Sequence, residues 1–231
     1  MRLSQLAAAV ACLSSSTVLA GFDQNRAGAV LKAPSNSSFV SVTGTFTVPS
    51  LTGSSLLSIW VAIGDTLSQD TVLKGGITYN QTLSSFVAWY PSATTDITKD
   101  VAVEAGDSIT VTVSVPSVNG TSGTVILENT TQNKKSIQTI PVPSNVDSLS
   151  FLAADWFVQA YQLAGELVQV PEFGTLSFTN CSATLADGTT LGPEKAGIFE
   201  IQGTSGQIFS TTTTTASSIS VQQQSVTNPF R

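Results

Sequence analysis

Two polar side chains interrupt otherwise apolar runs. Gln159 stands in ADWFVQAY (154–161) among Trp156, Phe157, Val158 and Tyr161, and Lys74 stands in TVLKGGITY (71–79) beside Gly75 and Gly76. A carboxamide donates and accepts hydrogen bonds but has no basic site near working pH, so Gln159 is either a satisfied core residue or a binding group. An ammonium can hold developing negative charge. On periodicity alone, however, Lys74 reads as a solvated strand residue. The chain has no histidine, which removes serine–histidine and cysteine–histidine triads, imidazole bases and histidine-ligated metals. Any catalysis must therefore use carboxylates, amides, lysines, hydroxyls or tyrosines.

The elements that must position these residues alternate with period two. SITVTVSVP (108–116) sets Ile109, Val111, Val113 and Val115 on one face and Ser108, Thr110, Thr112 and Ser114 on the other; this is a half-buried strand. TGTFTVP (43–49) and GTLSFTNC (174–181) repeat the pattern. Gly-, Asn- and Ser-rich turns such as SLTGSS, EAGD, SVNGTSG and GTSGQ separate the runs, and no window of helical spacing competes with them. The expectation is an all-β fold, an antiparallel two-sheet β-sandwich of jelly-roll, concanavalin-like type. STTTTTASSISVQQQ reads either as a glycosylated stalk or as strand, and alternation at Ile219 and Val221 favours a last strand. In LSIWVAIGD (57–65), Leu57, Ile59, Val61 and Ile63 share one side. Trp60 takes the other with Ser58 and Ala62, which suits either a cleft floor or a packed core.

Residues 1–20, MRLSQLAAAVACLSSSTVLA, carry one early positive charge, a short apolar run and a small-residue end. This pattern predicts a secretory signal cut after Ala20, too short to span a bilayer, and a single domain over 21–231. Removing 20 of 231 residues leaves 211, enough for a sizeable core, and takes Cys12 away, so Cys181 is left as a buried strand thiol without a disulfide partner. Losing Arg2 brings the balance to 8 basic against 15 acidic residues. The chain offers no basic footprint for nucleic acid or anionic lipid, and neither is expected as a partner. With charged residues at only 10%, few ion pairs exist to be lost in acid. Five N-x-[ST] sequons, at Asn36, Asn80, Asn119, Asn129 and Asn180, fit an exported, extracellular glycoprotein.

IWVAIGD, VLKGG, AWYP, EAGDSITVTV, GTVILENTT, AADWFVQAY and VPEFGTLSFTNCSA follow one another from Asn25 to about Asp187. This ordered set resembles the fungal glutamic peptidases, the eqolisins. The resemblance implies a secreted, acid-active endopeptidase fold of two seven-stranded sheets with its site on an open face. It implies neither cofactor nor metal. Eqolisins resemble one another in a W-V-G-I-D-G block, an L-Q-T-G block whose Gln stabilises the oxyanion, and a block ending W-I-V-E-D-F whose Glu activates water. Carried over by position, the Gln falls on Lys74 and the Glu on Gln159, so neither member of the dyad is kept. Arg26 replaces the Trp of the N-terminal block, and Asp65 is displaced by one residue from the family's aspartate. Trp60, Trp89 and Tyr90 match, implying with Asp65 a surviving aromatic, substrate-binding lining.

Water attacking an amide needs a base, worth on the order of 10² to 10⁴ in rate, which Gln159 cannot supply. Lys74 would have to be neutral, which requires strong desolvation. Asp155 shares the strand face of Gln159 but lies four residues, roughly 13 Å, along it; Asp70 and Glu166 are near the blocks only in sequence. Three functions follow as expectations. The first is a non-catalytic pseudopeptidase, monomeric, binding a peptide or protein in the aromatic cleft. The second is an acid endopeptidase with an altered dyad. The third is a lectin-like sandwich binding glycan through Trp60 and Trp89, since the paired carboxylates of glycoside hydrolysis are not evident. The motif blocks begin within a few residues of the expected cut, leaving no room for the long pro-segment the family's active members carry.

Overall fold

The computed structural model describes residues 20–52, 56–64, 71–116, 120–144, 152–163, 166–167 and 170–224. Alternation dominates because nearly every strand buries one face between two sheets. The first sheet runs β1 (Gly21–Asp23), β16 (Gly197–Ile201), β2 (Arg26–Lys32), β11 (Ala153–Ala160), β4 (Leu57–Gly64), β5 (Val72–Asn80), β6 (Thr82–Tyr90), β7 (Thr95–Asp96). The second runs β10 (Lys134–Pro141), β9 (Ser122–Asn129), β8 (Ser108–Ser114), β3 (Phe39–Thr47), β14 (Thr175–Leu185), β18 (Ile219–Gln223), β17 (Ser210–Thr214), with β15 (Thr190–Leu191) beside β14. A separate pair joins β12 (Gln162–Leu163) to β13 (Glu166–Leu167). Among the described residues pairing is antiparallel except between β1 and β16. Each sheet has eight strands instead of the seven expected, because short edge segments such as β1, β7 and β15 add to the long ones. The threonine-rich segment and the residues after it form β17 and β18, as the alternation at Ile219 and Val221 anticipates.

The inter-sheet core contains Leu57, Ile59, Val61 and Ile63 of β4, Leu73 and Ile77 of β5, and Ile109, Val111 and Val113 of β8. Glycines fix how closely the layers approach. A Cβ on Gly75 would lie 2.4 Å from Val125 Cγ1 of the opposite sheet, and one on Gly44 would lie 2.7 Å from Trp156 Cδ1. The room left by Gly44 admits the Trp156 indole, whose Nε1 donates to the Thr43 carbonyl at 2.9 Å. Burying an indole removes on the order of 200 Å² from water, about 5 kcal/mol at 25 cal/mol/Å². This anchor holds Ala154, Trp156 and Val158 inward. Strand parity then sends Asp155, Phe157 and Gln159 to the outer face.

Two sequence expectations are corrected here. Trp89 does not line the cleft: it is 1% exposed and belongs to the inter-sheet core with Val87 and Leu73. Both faces of β6 are apolar, with Phe86 and Ala88 on the outside, so composition could not decide which way the indole points. Asn129 is not an exposed sequon. It is 0% exposed, and its Nδ2 donates to the Ala102 carbonyl at 2.9 Å and to Asp107 Oδ2 at 2.7 Å, so the nitrogen that would carry a sugar is buried. Asn36, Asn80 and Asn180 are exposed. Asn119, Asp65, Asp70 and the expected signal up to residue 19 lie outside the described residues. Cys181 is a buried strand residue of β14, its thiol pushed up to about 12 chiefly by desolvation, and is therefore inert.

Candidate binding site on the outer face of the first sheet

Register places the site in three rows across β2, β11, β4 and β5. Arg26, Gln159, Ser58 and Thr78 form one row, Gly28, Phe157, Trp60 and Gly76 the next, and Val30, Asp155, Ala62 and Lys74 the third. Gly76 lets the strands close up: a Cβ there would meet the Ile59 carbonyl oxygen at 2.0 Å. In the middle row Trp60 and Phe157 pack with ring centroids 5.1 Å apart, and Phe199 extends the strip at 5.9 Å from Phe157. Trp60 is 3% exposed and Phe157 1%, so the aromatics form a floor that is covered by polar side chains instead of lining an open cleft.

That cover consists of three half-buried groups. Lys74 Nζ lies over the Trp60 ring, 5.0 Å from its centroid, and the Arg26 guanidinium lies over Phe157 at 5.3 Å. Gln159 sits beside them, its Oε1 accepting a 3.0 Å hydrogen bond from Trp60 Nε1. An indole N–H can only donate, so this contact fixes the orientation of the amide and turns its NH₂ away from the ring. At the far end of the Gln159 row, Ser58 Oγ bonds Thr78 Oγ1 at 2.9 Å and the Tyr161 hydroxyl at 3.0 Å.

Arg26 is held rigidly. Asp23 Oδ2 accepts from its Nη2 at 2.6 Å and its Nε at 3.0 Å, while Asp23 Oδ1 accepts from the backbone N–H groups of Asn25 and Arg26. Asn25 ties this turn to the end of β11 through Nδ2 to the Ala160 carbonyl at 3.0 Å. Lys74, by contrast, makes no ion pair among the described residues. Burial first, and then the charge of Arg26, lower its pKa from the ordinary 10.5 to about 8.

Of the residues singled out in the sequence, Trp60, Lys74 and Gln159 come together on one face. Tyr90 is 45% exposed at the end of β6 and pairs in register with Val72, one step beyond the Lys74 row. Asp155 is fully buried, in the row of Lys74 and two strands from it, about 10 Å between backbones. The row of Trp60 and Phe157 separates it from Gln159. The sequence reading missed Phe157 and Arg26 as parts of the site. Phe157 shares the strand parity of Gln159, which could have identified it, but nothing in the sequence places Arg26 over its ring. A cavity of about 500 Å³ adjoins the strip, with Val30, Lys32, Lys195 and Phe199 in its lining.

The profile of the Peptidase A4 family matches residues 24–224, beyond the Asp187 at which the motif blocks stop. The chain is 29% identical over 228 residues to aspergillopepsin-2 of Aspergillus niger, covering 87% of this chain and 77% of that protein. To scytalidopepsin B of Scytalidium lignicola it is 28% identical over 190 residues, covering 78% and 70%. Among solved structures it superposes on scytalido-glutamic peptidase bound to a transition state analog inhibitor with a TM-score of 0.76 and 26% identity, over 87% of this chain and 99% of that one. Aspergilloglutamic peptidase from Aspergillus niger gives a TM-score of 0.63 and 28% identity, over 73% and 99%.

Proposed function

As the chain belongs to the Peptidase A4 family, the eqolisins, we propose that it is a secreted relative that binds a peptide or protein on this face without hydrolysing it. Lys74 and Gln159 stand in place of the family's Gln and Glu. The observation that carries the reading is the bond from Trp60 Nε1 to Gln159 Oε1. It turns the amide oxygen toward the indole and presents the NH₂, so a water at this point would meet an N–H instead of a base. The carboxamide nitrogen has no basic lone pair to take the proton, and the positioned base it replaces is worth on the order of 10² to 10⁴ in rate. Lys74, with a pKa of about 8, stays charged in acid and cannot substitute. Phe199, which extends the aromatic floor beyond its polar cover, and the adjoining cavity supply an apolar support for a chain-like ligand. Sugar stacking is disfavoured because Trp60 and Trp89 are both buried.

The second reading, an acid endopeptidase with an altered dyad, is favoured by the position of Asp155 in the row of Lys74. One assay separates the two. Residues 21–231 are incubated at acid pH with a denatured protein substrate, beside the double variant Lys74→Gln, Gln159→Glu and the single variant Asp155→Asn. Cleavage confined to the double variant is the expected result. Robust cleavage by the unaltered chain, lost in Asp155→Asn, would replace the binding reading with the altered-dyad one.

A further inference from the structure

Resting on the binding reading above, we infer that Lys74, Gln159 and Arg26 together form a carboxylate-binding site, so that the peptide recognised here is one presenting a carboxylate over the Trp60–Phe157 floor. All three groups covering that floor offer donors. Lys74 and Arg26 have no acceptor at all, and the bond from the indole N–H of Trp60 turns the carbonyl oxygen of Gln159 toward the ring and its NH₂ away from it. The two cations lie over adjacent rings, on Trp60 and Phe157, whose centroids are 5.1 Å apart. They are near enough for the charge of Arg26 to lower the proton affinity of Lys74. Two like charges held over one apolar floor repel each other, and an anion between them relieves that repulsion.

The charge balance agrees. Asp23 pairs with Arg26 through a 2.6 Å contact, while the ammonium of Lys74, largely desolvated, has no ion-pair partner among the described residues. The other titratable groups whose strand positions put them on this face are Asp155, fully buried and engaged in an interaction of its own, Tyr90 at the rim, Lys32 at the end of β2, and Asp96 on β7, in register with Phe86 at the far end of the Trp60 row. A carboxylate ligand would complete what the fold leaves incomplete: charge-assisted bonds from the ammonium and the amide, with its neighbouring apolar residue against Phe199. The same constellation is poor for an amide carbonyl in mid-chain, which brings no charge.

Isothermal titration of residues 21–231 tests this with three probes: an N-acetylated apolar tetrapeptide with a free C-terminus, the same peptide amidated, and the amidated peptide with one internal Glu. At pH 6 a carboxylate-bearing probe should bind about ten- to a hundredfold more tightly than the neutral one; which of the two does so identifies a chain end or a side chain as the source. Lys74→Met should erase the difference between the carboxylate-bearing and the neutral probes. Because proton loss from Lys74 removes the charge, the preference should fade as pH rises through about 8. Lys74→Arg should keep it to higher pH, since a guanidinium stays charged. Equal binding of all three probes, or a preference that survives Lys74→Met, overturns the carboxylate site while leaving peptide binding intact. Failure of every probe to bind overturns both.

Discussion

Lys74 is held at a cost that can be measured. Its pKa falls from 10.5 to about 8 in the fold, so at pH below 8 the native state carries a proton that the unfolded chain binds far more tightly. At about 1.4 kcal/mol per tenfold difference in proton affinity, the penalty is about 3 kcal/mol. The contact with Trp60 returns about 1 kcal/mol. Lys74→Met keeps a flexible stem over the indole, adds a sulfur–aromatic contact and removes the charge, so it should stabilise the protein by about 2 kcal/mol at pH 6. In a chain of this size that raises Tm by roughly 4–8 °C. The sign with pH follows from proton counts. Between about 8 and 10.5 the unfolded state binds more protons than the native one, so stability of the wild type rises with pH across that window and its deficit relative to Lys74→Met closes. Urea denaturation of both proteins at pH 6, 8 and 10.5 reads this directly. A variant less stable than wild type at pH 6, or a gap that stays constant up to pH 10.5, would refute the claim that burial lowers the proton affinity of Lys74.

The spacing of the two sheets is tested by Gly75→Ala, whose Cβ would stand 2.4 Å from Val125 Cγ1. Denaturation should show a loss of about 1–3 kcal/mol, largely restored by adding Val125→Ala, and no restoration would mean that the clash is not the cause. Asn129 should be unmodified in protein secreted from a glycosylating host, because its Nδ2 is committed to Ala102 and Asp107. Peptide mapping that finds sugar on Asn129 of the folded protein would contradict the buried placement.

Much of this protein follows from residue type and period. The alternation of β4, β5 and β8 puts the aliphatic residues inward and Trp60 and Lys74 outward without reference to any contact, because a strand's parity is local. The absence of histidine limits the chemistry as firmly, and the ordered motif blocks lead to the family that the profile match supports. Parity fails where both faces of a strand are apolar, as in β6, where Trp89 turns inward and Phe86 outward. Burial of Asn129 depends on Asp107 and Ala102, which are distant in sequence.

The site divides in the same way. That Gln159 cannot act as a base is a property of the carboxamide, legible in the sequence. Which way its amide points is settled by Trp60, 99 residues away in the chain. That Lys74 and Arg26 lie over neighbouring rings required β2, β11, β4 and β5 to assemble side by side. Residue identity sets what each group is able to do. Strand order and register set what each group faces, and the field that shifts the charge of Lys74 arises only from that assembly.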